Sequence, residues 1–293
     1  MIIAYTAGGR TANQVFHYVY LMAIAMEFNS SIRIIDFRSH GYFDFFGSGK
    51  AVCSYHPSWK KILNRICRSN KLRPFLKLVG IRSLRAYGHE ESGALTQEVR
   101  KLMKGLSFLD CWPVKDYELL YKHQEAVRKT IRPKKEYWSA AEEIMMEQRG
   151  YGVPIVGIHV RRTDYKEWLD GKYYYDVSTY VRHMRKISEL MNGKVVFVIC
   201  SDEKMSREDF DVPCCNIYIS RNPFMVDYSL LAQCDYTIGP PSTFRMTSSF
   251  LGNTPSFSLY TPDSVLTSME QFIVPLMGDV PVERKRAEAA NRT

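Results

Sequence analysis

The chain has 293 residues, a formal charge of +9, 24% charged residues and 45% hydrophobic residues. That length buries substantial cores without disulfide or metal staples, and the balance excludes wholesale disorder. The basic excess suits a polyanionic partner, whether nucleic acid, an anionic membrane surface or a phosphorylated small molecule, and by itself selects none of them. In chain order, Ile2 to Tyr5 reads as a buried strand and Thr6 to Thr11 as a turn. Asn13 to Met26 reads as a helix with Val15, Tyr18, Val19, Met22 and Ala23 on one face. A second strand, Ser31 to Ile35, completes a βαβ opening, which implies a parallel sheet with ligands near the carboxyl ends of its strands. From Asp36 to Gly93 the periodicity weakens into aromatic and basic loops with short helices and gives no assignment. Leu106 to Cys111 reads as a strand, followed by helices at Asp116 to Ile131 and Lys135 to Gln148.

Gly150 to Pro154 ends that helical run and is taken as the domain boundary. Beyond it the alternation is clear: a strand at Ile155 to Val160, a helix at Val177 to Met191 stopped by Gly193, and strands at Val195 to Cys200 and Asn216 to Ile219. A helix at Pro223 to Gln233, a strand at Tyr236 to Ile238, a helix from Ser242 and a strand around Ser256 to Leu259 follow. The economical architecture is two Rossmann-like halves, residues 1–150 and 151–280, with a basic tail at 281–293. Seven cysteines without a CxxC pair read as reduced thiols of a cytoplasmic protein rather than a disulfide framework or zinc site. Met1 to Tyr5 is too short for a signal sequence, and no apolar stretch is long enough to span a bilayer. Basic residues from Lys60 to Arg85, Arg128 to Lys135 and Arg284 to Arg286 carry no nucleic-acid-binding motif. They read as a solvated surface, with peripheral membrane contact as the alternative.

Two constellations carry chemistry. In Gly157-Ile158-His159-Val160-Arg161-Arg162-Thr163-Asp164-Tyr165 an apolar strand delivers two arginines, a histidine and an aspartate to its carboxyl end. Guanidinium forks match phosphate oxygens and stabilise charge on a departing nucleoside diphosphate; the competing reading is a surface salt-bridge cluster with Asp164 and Glu167. Gly239-Pro240-Pro241-Ser242-Thr243-Phe244 follows a strand and opens a helix, so it offers hydroxyls and free N–H groups to an anion, or an ordinary cap.

His159 to Asp164 resembles the HxRRxD motif of the α1,2-, α1,6- and protein O-fucosyltransferases, and Tyr165 makes it most similar to the α1,2 family, glycosyltransferase family 11. Gly9-Arg10-Thr11-Ala12-Asn13-Gln14 resembles that family's GRLGNQ, Phe197 to Asp202 its FxxxSDD strand end, and Asp227 to Phe244 the stretch ending in STF. The resemblance spans most of the chain. It implies an α/β fold of the GT-B type, two Rossmann-like domains facing across a cleft, a GDP-fucose donor, inversion at the anomeric carbon, and no cofactor or metal. By position, Arg161 would hold the β-phosphate, His159 and Asp227 would face the guanosine, and Ser242 and Thr243 would bind the diphosphate, with Arg162, Asp202 and Phe244 completing the donor side. Gly9, Arg10, Asn13, Gln14 and Asp36 would line the cleft from the first half. The acceptor is expected to be a sugar hydroxyl of a glycan, the 2-hydroxyl of a terminal galactose first. Three departures bear on the acceptor more than the donor: Thr11-Ala12 in place of Leu-Gly, Arg245-Met246 in place of Ser-Trp after STF, and only a trace of the aromatic acceptor tract between Phe108 and Tyr121.

Inversion needs a base for the acceptor proton, for which Asp164, Glu167 and Asp170 are candidates, Asp164 having the alternative role of orienting the arginines. Two other classes are set against this reading. Asp209-Phe210-Asp211 formally matches the DxD of a metal-dependent transferase but follows a polar stretch rather than an apolar strand. The charge alone would also suit a non-enzymatic nucleotide-sugar or nucleic-acid binder.

Overall fold

The computed structural model describes residues 1–5, 8–46, 51–69, 71–87, 99, 101, 105–112 and 114–275. Thr6 of the expected first turn and the basic tail at 281–293 lie outside them. The chain forms two compact units, Met1–Arg132 and Pro133–Pro275.

The first unit is built on a five-stranded sheet in the order β4-β2-β1-β6-β5, with every adjacent pair parallel. Its strands are β1 (Ile2–Ala4), β2 (Ile32–Ile34), β4 (Ala51–Cys53), β5 (Arg82–Tyr87) and β6 (Ser107–Trp112). β3 (Phe43–Phe45) pairs with β7 (Ile131–Pro133) in a separate ribbon. Helix α1 (Thr11–Glu27) differs from the one-faced helix expected, because it is buried around almost its whole circumference from Ala12 to Ala25. The reason is packing on several sides: α1 meets α4 (Tyr117–Arg128) as well as β2 and β4. Glu27 at its end pairs with Lys122 and His123 of α4 at 2.8 and 2.7 Å. The stretch without an assignment holds β3, β4, β5 and helices α2 (Pro57–Arg68) and α3 (Leu72–Leu78).

In the second unit the sheet order is β10-β9-β8-β11-β12, again parallel throughout. The strands are β8 (Ile155–Val160), β9 (Val196–Ser201), β10 (Asn216–Ile219), β11 (Tyr236–Gly239) and β12 (Ser256–Ser258), connected through α6 (Val177–Leu190), α7 (Phe224–Gln233) and α8 (Thr243–Gly252). Both faces of the sheet are covered, as parallel sheets require. Val156, Ile158 and Val160 of β8 pack with Tyr180, Met184 and Ile187 of α6, while Ile155 of the opposite parity packs with Leu230 and Leu231 of α7. Helix α5 (Lys135–Arg149) adds Ala141 and Met145 to that second core. The boundary between units therefore falls at Arg132 and Pro133 rather than at Gly150, because the buried side of α5 completes the second unit.

Candidate active site

Strand β8 lies between β9 and β11, so successive connections leave it toward opposite edges of the sheet. That is the topological switch point, beyond whose carboxyl ends open α/β sheets bind ligands. The residues following β8, β9 and β11 meet there. Gly239 makes the approach of β11 to β8 close, since a Cβ on it would stand 2.5 Å from the carbonyl oxygen of His159.

The two arginines after β8 have different fates. Arg161 Nη2 pairs with Asp164 Oδ1 at 2.6 Å and its Nε with Asp202 Oδ2 at 3.2 Å, and its guanidinium carbon lies 5.6 Å from the ring centre of Tyr165. Arg162 turns into the protein. Its Nε donates to Glu203 Oε2 at 2.9 Å, Nη1 to the Tyr175 carbonyl at 2.8 Å and Nη2 to the Tyr174 hydroxyl at 2.6 Å, with the group 4.5 Å above the Tyr174 ring. Its fork is thus directed at protein acceptors on all three nitrogens, unlike the donor-side role expected for Arg162.

Asp202, at the end of β9, organises this exit. Its carboxylate accepts from Arg162 N at 2.8 Å, Thr163 N at 3.3 Å and Thr163 Oγ1 at 2.6 Å, in addition to facing Arg161. Such charge-assisted bonds to successive backbone amides fix the loop.

The turn after β11 is tied to the same loop. The Tyr165 hydroxyl donates to the Pro241 carbonyl at 2.5 Å. Ser242 is the N-cap of α8, its Oγ accepting from Phe244 N at 3.3 Å. Thr243 opens the helix, and Phe244 stacks on His159 with ring centres 5.4 Å apart and an interplanar angle of 23°. His159 is buried, and its Nδ1 has no hydrogen-bond partner among the described residues. Burial first, then the charges of Arg245 and Arg161, hold its pKa well below the usual histidine range, so the ring is neutral.

Arg245, fully buried in α8, donates to Ser256 Oγ, to Ser258 Oγ at 2.7 Å and to the Pro240 carbonyl at 3.4 Å. The departure noted after Phe244 in the sequence is therefore an internal brace between the turn and β12. Asp227, in the first turn of α7, accepts from Ser220 Oγ, and Ser220 Oγ in turn receives Asn222 Nδ2 at 2.9 Å. Burial pushes the Asp227 carboxyl up to about 7.

The model of glycosyl transferase family 11 matches residues 96–273. The chain belongs to glycosyl transferase family 11. The matched span of this transferase includes both motif regions of the second unit and leaves Gly9 to Gln14 outside it. A comparison with curated proteins gives no match. Among solved structures, it resembles a mutant of Arabidopsis thaliana FUT1 in complex with GDP, with a TM-score of 0.57, 10% identity, and 93% of this chain and 73% of that chain covered. NodZ alpha-1,6-fucosyltransferase soaked with GDP-fucose, a protein also solved from Bradyrhizobium, gives a TM-score of 0.53, 16% identity and coverage of 90% and 97%. POFUT1 in complex with GDP gives 0.51, 10%, 87% and 96%. At these identities the likeness speaks for the fold, the α/β, GT-B type expected from the sequence.

Other expected residues of the transferase lie where the local chain carries them. Glu167 and Asp170 are exposed beyond the loop, Asp170 in a left-handed conformation beside Leu169. In the first unit, Gly9 has φ +56 and sits so close to Asn13 that a Cβ would overlap its side chain. The Arg10 carbonyl accepts from Gln14 N, and buried Gln14 bridges the Gly9 carbonyl at 3.2 Å and Ser39 N at 3.0 Å. Asp36, also buried, pairs with Lys60 at 2.5 Å and Arg38 at 3.5 Å. These residues gather past the carboxyl ends of β1 and β2. The DxD match has structural duties: Asp209 Oδ2 accepts from Ser206 N at 2.7 Å, Asp211 pairs with Arg185 at 2.6 Å, and Phe210 is buried. Sequence reasoning missed Ser220, Asn222 and the structural use of Tyr165. Ser220-Arg221-Asn222-Pro223 carries a turn signal ahead of α7, but nothing in it singles out a partner for Asp227.

Proposed function

We propose that this family 11 transferase moves fucose from GDP-fucose to a sugar hydroxyl, with inversion and without a metal. The observation that carries the proposal is the placement of Arg161 and the N-terminus of α8 at the switch point of one nucleotide-type sheet. Among the described residues, the ion pairs of Arg161 engage Nε and Nη2, while a guanidinium has five N–H donors. Those donors and the amides at the start of α8 are suited to a pyrophosphate, and they would stabilise the charge that builds on GDP as it leaves. The GDP and GDP-fucose bound to the structural neighbours support the same donor.

In this reading Asp227, Ser220 and Asn222 recognise the guanine edge, because a buried carboxyl beside a hydroxyl and an amide offers paired acceptors to adjacent N–H groups. Neutral His159 offers its unpartnered Nδ1 to the nucleoside. The acceptor oxygen attacks the anomeric carbon, the bond to GDP breaks with its electron pair, and a carboxylate takes the acceptor proton. Asp164 is occupied by Arg161 and acts as a positioning residue, which leaves Glu167 and Asp170 as candidates for that carboxylate. The acceptor proposed is the 2-hydroxyl of a terminal galactose.

The test is incubation with GDP-fucose and galactose-, GlcNAc- and rhamnose-terminated acceptors, with product linkage read by NMR and a parallel reaction in EDTA. An α1,2-linked product that survives chelation supports the reading. Equal binding of UDP or ADP and GDP overturns the donor, and loss of transfer in EDTA overturns metal independence.

A further inference from the structure

The segment Pro57 to Val79 contains seven lysines and arginines and no aspartate or glutamate. It is α2 and α3, which pack on one another in the first unit. Helix α2 is anchored by Leu63 and Cys67, which join Tyr5 and Phe108 in a core cluster. Trp59 and Ile62, three positions apart, are instead exposed. Helix α3 goes further: Leu72, Phe75 and Leu78 recur every third residue, lie on one face and are all exposed, Phe75 by 60% and Leu78 by 84%. Exposed Lys61, Arg65, Lys71 and Lys77 are interleaved with them.

A solvated basic surface accounts for the cations and leaves the aromatic and aliphatic tips in water without return. Nucleic acid would answer the charge but not the large aliphatic side chains. A bilayer with anionic headgroups answers both, since apolar tips enter the acyl boundary while lysine and arginine stems reach back to the phosphates. We propose that α2 and α3 form a docking face for an anionic membrane surface, on which this transferase lies peripherally. No helix among the described residues is long and apolar enough to cross a membrane, so contact here is interfacial. The proposal rests on the first unit alone and stands apart from the donor assigned above.

The test is sedimentation of the full-length protein with vesicles of phosphatidylcholine and of an equal mixture of phosphatidylcholine and phosphatidylglycerol. Binding to the mixture, weakened by salt, and little binding to phosphatidylcholine alone are expected. Two double variants, F75E/L78E and K71E/K77E, should each lower the partition coefficient at least about tenfold. Both alter exposed positions, so unchanged thermal midpoints accompany the loss. As a measurement on the unaltered protein, brominated lipid should quench its fluorescence, and Trp59→Phe should remove most of that quenching. Wild-type sedimentation of F75E/L78E, or quenching that Trp59→Phe leaves intact, overturns the proposal. So does tight binding of a single-stranded oligonucleotide by a protein that ignores both vesicles, which would make the face a nucleic-acid surface.

Discussion

Arg161 and Arg162 are adjacent and almost equally buried, yet truncating them to alanine should produce opposite phenotypes. The Arg162 guanidinium holds Glu203, the Tyr175 carbonyl and the Tyr174 hydroxyl, and only 15% of the side chain is exposed. Removing it strands a partly buried carboxylate and a buried carbonyl, for which losses of about 3–5 kcal/mol are typical. Glu203 is 36% exposed, so solvent screens part of the pair and the lower end, about 3 kcal/mol, applies. At about 2–4 °C per kcal/mol the midpoint of the second unit should fall by about 6–12 °C. Arg161→Ala removes two ion pairs, one of them to the 37% exposed Asp164, and leaves Asp202 with its donors from Arg162 and Thr163. Its cost should be about 1 kcal/mol, or about 2–4 °C. GDP affinity, by contrast, should drop at least about tenfold for Arg161→Ala, since a hydrogen bond to a charged group contributes about 1.5–3 kcal/mol. Differential scanning fluorimetry without ligand and titration calorimetry with GDP give both quantities for each variant. If Arg161→Ala binds GDP like the parent protein, or melts as early as Arg162→Ala, the assignment of roles after β8 is wrong.

Three further outcomes follow from the geometry. Burial raises the Asp227 carboxyl from the ordinary value of about 4 to about 7, so the folded state binds a proton that the unfolded chain has lost. The group's contribution to stability should therefore decline as pH climbs from about 4 to about 7 and stay level above, and Asp227→Asn should flatten that slope in denaturant titrations while weakening GDP binding. Gly239→Ala forces a methyl against the His159 carbonyl and should cost about 1–3 kcal/mol, seen as a lower urea midpoint with an unchanged slope. Arg245→Met leaves the Ser256 and Ser258 hydroxyls and the Pro240 carbonyl without their donor, and should destabilise by about 2–4 kcal/mol in the same assay, with Arg245→Lys recovering only part.

The second unit is legible because β8 and β9 have six residues each and are buried on both faces, and its strands alternate with helices. β8 and β10 have the expected limits, and β9 is displaced by one residue at each end. In the first unit β3 and β4, past Asp36, have three residues each, too few for a period to emerge, and that stretch therefore yields no assignment. The periodicity locates helix α1 but implies a single buried face, because local pattern does not report that α4 and the sheet enclose it from different sides. The boundary was displaced for a related reason. Gly150 breaks the chain locally, whereas membership of a unit is decided by Ala141 and Met145 packing onto β8 and β9. At the site, the chemistry-bearing residue types were readable and their partners were not: the amides that Asp202 gathers, and the hydroxyls that Arg245 reaches, come together only through the sheet.

One element of the site was nonetheless present in the alternation of β8. Side chains along a strand point to opposite faces in turn, and Val156, Ile158 and Val160 all face α6. Continuing that parity past the strand carries Arg162 to the same side, where Tyr174 and Tyr175 immediately precede α6 and receive its guanidinium. Ile155, Gly157 and His159 have the other parity, which leads to α7 and α8, and His159 accordingly stacks on Phe244. Arg161 continues this second row. The doublet is thus two residues assigned by phase to two layers, one arginine bracing the loop against the helix that follows and the other left beside the turn that opens α8. A grip on a diphosphate by both guanidinium groups would need the alternation to fail at the strand's end, and the inward course of Arg162 is the direct sign that it does not.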